Sequence, residues 1–374
     1  MVIMNIEMDN IYLFKNFKMN MSYPKKIVNS SIENEFLTGR ENFRYKKVNV
    51  LMGPNASGKT TLGKALLGIC RFLLRRESGR LLEIIRDYEK PSIFSMDFVN
   101  SENGKYKMYR LNMEMKVNST EPPIVKTLAQ LRETDITIRD SYESCCKKIE
   151  KEEKKLNTEI DAQLDKIIYL GWLFSFTSEA DAATHCAKED SYEKILEYTL
   201  KTLDSSIVGV EKLKEVENSY VIKYPDQDII IQDGEVVKNN ILSSGTREGL
   251  DIAYFIAGMQ RAKDSLFYCD EKFSHVHSDI EKECLSLMID SLSGDGQLFF
   301  TTHNIGVLDM NLPHHTFTFM GKEKDGDDSY IKCAYADDYL KRHTDSLKNA
   351  VANDLFSMAP DLNYIDTLRN YLKI

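Results

Sequence analysis

The run Gly53-Pro54-Asn55-Ala56-Ser57-Gly58-Lys59-Thr60 sets two glycines, a lysine and a hydroxyl at the spacing G-x4-G-K-T. Such a loop can curl its backbone N–H groups around one anion, and a helix starting there adds the positive end of its dipole. Lys59 then offers a point charge to the β- and γ-phosphates of a nucleotide, and the Thr60 hydroxyl is a ligand for Mg²⁺. With Thr61 this is the candidate ATP-binding segment. Asp270-Glu271 closes an apolar run, where Asp270 can reach a metal held by the loop and Glu271 can orient and polarise an attacking water. Thr301-Thr302-His303 ends the run Leu298-Phe299-Phe300, and a histidine there can donate one hydrogen bond to a γ-phosphate in either tautomer. Leu242-Ser243-Ser244-Gly245-Thr246 precedes an apolar helical stretch. Its hydroxyls and free N–H groups can form a second anion site at Ser243, Ser244 and Gly245, or Ser243 can be an ordinary helix N-cap. The expected catalytic set is Lys59, Glu271 and His303, and the expected metal ligands are Thr60 and Asp270.

These residues need elements to position them. Tyr45 to Met52 is a β-rich run feeding the glycine loop, and Thr60 to Leu74 places Leu62, Leu66, Ile69, Phe72 and Leu73 on one helical face. Strand, loop and helix are the context a phosphate loop requires. Val2 to Met21 alternates loosely, as one or two half-exposed strands do, and Ile93 to Val99 with Tyr106 to Val117 reads as a hairpin about the turn Asn100 to Gly104. Beyond Pro122-Pro123 the composition turns charged, and Ser141 to Leu170 carries Ile149, Leu156, Ile160, Leu164 and Ile167 at near-helical spacing. Tyr220 to Val237 returns to β character; its Asp226 and Asp228 flank a turn after Pro225 and read as solvated carboxylates. Leu266 to Cys269, Asp279 to Leu292 and Gln297 to Thr301 then alternate strand, helix, strand, as in a parallel sheet. The expected class is α/β, a P-loop NTPase with a mixed sheet core and an inserted helical lobe. Residues 1–120 and 207–374 would form the two ATPase lobes, and 121–206 the insertion.

Length and composition bound the reading. The chain has 374 residues, 42% hydrophobic, enough for one large domain or two lobes. With 58 Asp+Glu against 49 Lys+Arg, a net charge of -9 disfavours broad contact with nucleic acid or acidic membranes. No apolar stretch reaches the roughly 18 residues that span a bilayer, and no signal-peptide pattern opens the chain, so a cytoplasmic protein is expected. Seven cysteines make no CxxC pair, which suits reduced thiols; Cys145-Cys146 and His185-Cys186 are the adjacent thiol features.

Together, and in this order, the segments resemble the ATP-binding-cassette (ABC) class of ATPases, within its soluble branch that includes SMC, RecF and OLD-type proteins. Gly53 to Thr60 resembles that branch's GPN-x-SGK-[ST] loop, and Leu242 to Thr246 its signature motif, with Ser244 where transporters carry glycine. Asp270 to His277 resembles the DE-x-x-x-S-L-H-P stretch of abortive-infection-type AAA ATPases, with Phe273 in place of the usual acid and Ser278 in place of the usual proline. Leu298 to Asn304 resembles their switch-histidine strand, and Asn349 to Phe356 with Pro360 their closing segment. A Q-loop glutamine is not fixed, Gln130 and Gln163 both being open.

The resemblance implies a head-to-head homodimer, or a higher oligomer of dimers, with each ATP held between the loop of one subunit and Ser243-Ser244-Gly245 of the other. It further implies a sensor or scaffold for a separate effector, a nuclease or toxin, in bacterial anti-phage defence. No second catalytic constellation is visible: no arginine precedes a histidine at the ribonuclease spacing, and no Ser-His-Asp context occurs. The alternative is a RecF-like or SMC-like DNA clamp, for which Arg71, Arg75, Arg76 and Arg80 and the lysines Lys147, Lys148, Lys151, Lys154 and Lys155 are the basic candidates. Those lysines are interleaved with glutamates, as on a solvated helix face. A transporter subunit is the third reading, with long insertions and no marked docking surface for membrane helices.

Overall fold

Loose alternation in the first twenty residues yields two antiparallel strands, β1 (Val2–Asp9) and β2 (Phe17–Asn20). The computed structural model describes residues 1–372 apart from 29, 78, 103, 119, 152–163, 166, 168–169, 178–179, 184–190, 238–241, 327, 341, 343–344 and 357–362. A small hairpin, β3 (Phe36–Leu37) and β4 (Arg40–Arg44), leads into β5 (Val48–Met52), buried along its whole length. Next come α1 (Lys59–Arg75), α2 (Gly79–Ile84) and the long antiparallel run β6 (Ser92–Glu102), β7 (Lys105–Asn118) and β8 (Ile124–Asp135). Helix α3 (Tyr142–Glu150) opens on a capping box between Ser141 and Ser144. Strands β9 (Trp172–Ser175) and β10 (Ala180–Ala183), helix α4 (Tyr192–Leu203), and β11 (Gly209–Lys212), β12 (Ser219–Lys223), β13 (Asp228–Gln232) and β14 (Glu235–Val236) follow. The rest is α5 (Ser244–Arg261), β15 (Leu266–Asp270), α6 (Ser278–Asp290), β16 (Gln297–Thr302), β17 (Phe317–Asp325), β18 (Asp328–Tyr335), α7 (Ala336–Tyr339), α8 (Leu347–Ala352) and α9 (Asn363–Leu372).

The strands form a seven-stranded sheet in the order β10-β9-β15-β16-β5-β17-β18 and an antiparallel five-stranded sheet in the order β2-β1-β6-β7-β8. A four-stranded meander runs β11-β12-β13-β14. In the seven-stranded sheet β9, β15, β16, β5 and β17 are parallel. Parallel strands covered on both faces must be apolar throughout, and every residue of β5, β15 and β16 is indeed buried. Their side chains alternate between two cores. Leu51, Tyr268 and Phe299 join Leu62, Leu66 and Ile69 of α1 and the inner face of the five-stranded sheet. Val50, Phe267, Cys269, Leu298 and Phe300 face the other way, onto Ile252, Phe255 and Ile256 of α5 and Leu285 and Met288 of α6. Helix α1 is thus held between two sheets, its start fixed at the end of β5.

Between 121 and 206 the structure departs from the helix expected there. β8 pairs with β7 antiparallel from Asn118↔Ile124 to Lys107↔Asp135, and β9 enters the seven-stranded sheet beside β15. The charges that suggested helix, Lys126, Arg132 and Glu133, belong to an edge strand, where charged residues and one solvated face are ordinary. Within Ser141 to Leu170 the helix α3 covers Tyr142–Glu150; Leu156 and Ile160 lie outside the described residues, as do Gln163, His185-Cys186, Lys154, Lys155 and Pro360. Gln130 lies on β8 and accepts a hydrogen bond from Asn112 at 3.3 Å. Asp226 and Asp228 are exposed. Among the described residues no helix is long and apolar enough to cross a membrane.

The contact between α1 and β15 is close. A Cβ added at Gly63 would stand 2.5 Å from Tyr268 Cε1 and 2.8 Å from Phe176 Cε1. Gly63→Val therefore overpacks this contact and should cost about 1–3 kcal/mol, read as a lower midpoint in chemical denaturation; an unchanged midpoint contradicts the packing described.

Candidate functional site

At the C-terminal edge of the parallel strands, register puts Asp270 beside Thr301 and Thr302 beside Met52. The loop that follows β5 curls through Ala56 at φ 60 and Gly58 at φ 96, left-handed positions of the kind that build anion-binding concavities from consecutive N–H groups. Gly58 is the residue before α1, and a Cβ there would meet Ile331 Cδ1 at 2.3 Å as well as strain the backbone.

Lys59 is only 3% exposed. Its Nζ donates to the carbonyls of Gly53 at 2.8 Å and Pro54 at 3.2 Å and to Ser57 Oγ at 3.4 Å, and it pairs with Glu271 Oε1 at 3.3 Å. Burial lowers the ammonium's pKa below the usual lysine range, with Glu271 and Asp270 opposing the shift. Glu271 Oε1 also lies 2.8 Å from His303 Nε2. One carboxylate is therefore shared by the loop lysine and the strand-end histidine.

Asp270 is 1% exposed and accepts from Thr60 Oγ1 at 2.7 Å and Thr301 Oγ1 at 2.8 Å. Burial raises its carboxyl above the usual range despite those two hydroxyls. Thr301 Oγ1 in turn accepts the backbone N–H of Glu271 at 3.0 Å, supporting Glu271 at φ 48. Tyr268 OH donates to the Lys59 carbonyl at 2.6 Å, and Thr61 Oγ1 to the Gly58 carbonyl at 2.9 Å. The structure thus brings together the loop from Gly53 to Thr61, Asp270, Glu271 and His303.

A cavity of about 410 Å³ opens beside the loop, its far wall made by Tyr12, Leu13, Ile85, Arg86, Lys322 and Ile331. Sequence reasoning missed all six: Tyr12 and Leu13 lie inside the short apolar run Ile11 to Phe14, Ile85 and Arg86 follow α2, and Lys322 and Ile331 face each other across β17 and β18, and none of these places carries a local signal of a site. A larger cleft of about 1150 Å³ among β9, α5 and the four-stranded meander includes none of the loop. Volume therefore does not locate the chemistry; the convergence of Lys59, Asp270 and Glu271 does.

Ser243, Ser244 and Gly245 do not line the cavity beside the loop. They form the start of α5, where Ser243 Oγ accepts from Thr246 N at 3.1 Å, so the ordinary N-cap is present. The free N–H groups of the first turn remain beside that cap.

A second carboxylate was also missed. Glu281, 5% exposed on α6, accepts from Thr302 Oγ1 at 2.5 Å and Asn304 Nδ2 at 2.8 Å, the two neighbours of His303. In sequence it is one more acid in a charged helix, beside Lys282 and Glu283. Only the fold turns it inward.

No known family model matches the chain, and no curated protein does. Among solved structures it is similar to a crystal structure of the SmcHead bound to the C-winged helix domain of ScpA, at 13% identity over 91% of this chain and 100% of that one, TM-score 0.48. It is also similar to an Smc head domain with an extended coiled coil bound to the C-terminal domain of ScpA, derived from Pyrococcus furiosus, at 12% identity over 91% and 98%, TM-score 0.47. At that distance the functional reading rests on the chain's own residues.

Burial holds the Glu281 carboxyl above its ordinary value of 4.5, with Thr302 and Asn304 opposing. Its stabilising contribution is complete below pH 4.5 and is lost as pH rises through the raised value. Glu281→Gln removes that loss, so the melting-temperature difference, variant minus wild type, should climb from pH 4.5 toward neutrality; a difference independent of pH contradicts this account of Glu281.

Proposed function

We propose that this chain is a P-loop ATPase of the ABC type that binds and hydrolyses ATP, closes into a dimer around it, and acts as a cytoplasmic sensor or scaffold for a separate effector in anti-phage defence. The observation that carries the ATPase reading is the convergence of Lys59, Thr60, Asp270, Glu271 and His303 within one hydrogen-bonded set at the strand ends. Ligands of open α/β sheets bind at that edge. The dimer, the effector (a nuclease or toxin) and the defence role rest on the resemblance of the five segments to the abortive-infection branch.

In this reading the loop N–H groups and the start of α1 cradle the phosphates. Lys59 exchanges its carboxylate partner for the γ-phosphate, which frees Glu271 to orient the attacking water. His303, already within hydrogen-bond reach of Glu271, holds that carboxylate and senses the γ-phosphate. Thr60 and Asp270 would hold Mg²⁺: their oxygens lie 2.7 Å apart, and Asp270 is a buried carboxylate whose hydrogen-bond partners among the described residues are the hydroxyls of Thr60 and Thr301. The ion, when bound, neutralises charge on the β- and γ-phosphates.

Ser243, Ser244 and Gly245 would complete the pocket of a second copy, a role in keeping with their place outside the cavity of their own loop. ATP then acts as a clamp, favouring the closed pair by its higher affinity for it.

The DNA-clamping alternative gains nothing from Arg71, Arg75 or Arg76. Arg71 and Arg75 are held by Asp181 at 3.0 and 3.5 Å, and Arg76 by Asp165 at 2.7 Å. Lys148 is paired with Asp140 at 2.6 Å.

Lys59→Ala should cut turnover by at least about 100-fold, the scale on which one transition-state charge contact acts. Glu271→Gln should still bind ATP, hydrolyse it slowly and run at twice the monomer mass when ATP is present. Steady-state ATPase assays with light scattering check both; full turnover by either variant contradicts the site. The effector half is tested by purification from the native cell, where a co-eluting nuclease or toxin is expected and a chain that elutes alone argues against it.

A further inference from the structure

The segment after Glu271 is fastened to α5 at two places. Lys272, 4% exposed, donates from Nζ to Asp251 Oδ2 at 2.7 Å. His275 lies with Nδ1 2.6 Å from Glu248 Oε1, and its backbone N–H donates to Glu248 Oε2 at 3.1 Å. Glu248 and Asp251 are three residues apart, so they share one face of the helix. The helix start also approaches the segment directly: a Cβ at Gly245 would lie 3.1 Å from the His275 carbonyl oxygen.

Other contacts leave the segment little freedom. Phe273, which stands where the resembling proteins carry an acid, is buried with its ring 5.6 Å from that of Phe300. Ser274 Oγ donates to the Glu271 carbonyl at 3.0 Å. A displacement of the first turns of α5 is thus passed to Lys272 and His275, and through one peptide bond to Glu271. Glu271 itself is held at φ 48, a conformation a glutamate keeps only where its surroundings fix it.

We propose that Glu248 and Asp251 are positioning residues that couple the start of α5 to Glu271. The inference rests on the composite pocket proposed above. There, the start of α5 meets the nucleotide of the neighbouring copy while Glu271 serves the nucleotide of its own. Closing the clamp thereby fixes the position of that carboxylate. Glu248 and Asp251 touch no nucleotide themselves, and their effect appears in kcat rather than in ATP affinity.

The test uses the full-length chain with Glu248→Ala, Glu248→Gln and Asp251→Asn, measuring steady-state ATPase and titrating a fluorescent ATP analogue. Glu248→Ala and Asp251→Asn should keep the analogue's Kd within about twofold and lose roughly 10- to 100-fold in kcat, the scale of a misplaced catalytic group. Glu248→Gln keeps an acceptor for the His275 N–H and should recover most of the rate. Asp251→Asn keeps an acceptor but removes the counter-charge of a buried lysine and can fail to fold, whereas Glu248→Ala breaks a pair at the solvent edge and remains readable. A wild-type rate in Glu248→Ala overturns the coupling, as does loss of kcat and affinity together. No Lys59-dependent turnover in the wild type overturns the ATPase reading as well, so the two failures are told apart.

Discussion

Lys59 carries a positive charge into a place almost closed to water, at the first turn of α1, and its surroundings meet that charge with two carbonyls, one hydroxyl and the Glu271 carboxylate at 3.3 Å. An ammonium buried this far needs such partners or it loses its proton. The pairing demands that β15 and β5 end at the same edge of the sheet, one strand apart with β16 between them, and the parallel register supplies that arrangement. Helix α1 must begin where β5 stops, and the left-handed backbone at Gly58 permits it. The two cores above and below the sheet keep these strand ends in line. The interaction that satisfies Lys59 also engages the proposed base, since one carboxylate serves Lys59 and His303 together. In the proposed mechanism a polyphosphate entering the loop would offer Lys59 a stronger partner and release Glu271.

Such an arrangement divides the work between near and distant parts of the chain. The pair Lys59-Thr60 meets the pair Asp270-Glu271 at close range although the two lie more than two hundred positions apart in sequence, as the separation of 210 between Thr60 and Asp270 records. The serine-rich start of α5 stays outside the cavity beside its own loop, while the Lys272–Asp251 and His275–Glu248 pairs tie it to the same Glu271. In the proposed dimer one short segment would therefore report on one nucleotide and act on another.

Much of this site was legible before any coordinates. The G-x4-G-K-T spacing, the acids closing an apolar run and the histidine ending the next one are local signals, and strands buried on both faces betray themselves by unbroken apolar runs such as Leu266 to Cys269. Three things were not legible, for separate reasons. The strand β8 has the composition of a charged helix, and only its antiparallel pairing with β7 decides the matter. The wall formed by Tyr12, Leu13, Ile85, Arg86, Lys322 and Ile331 is assembled from three distant pieces of chain, the last being the β17–β18 hairpin. Glu281 and Glu248 look like solvated helical acids until the fold turns one beneath His303 and the other toward His275.

The central claim is that a second copy of the chain completes each nucleotide site, and mixing two damaged chains examines it directly. A Lys59→Ala chain lacks the loop cation and a Ser243→Arg chain lacks the opposing helix start, so each alone should be inert toward ATP. Their heterodimer retains one intact site, and an equal mixture should regain up to about a quarter of the wild-type rate, the share of whole sites among randomly paired two-fold dimers. A mixture no more active than its two components, or full activity in the Ser243→Arg chain alone, would contradict the shared site.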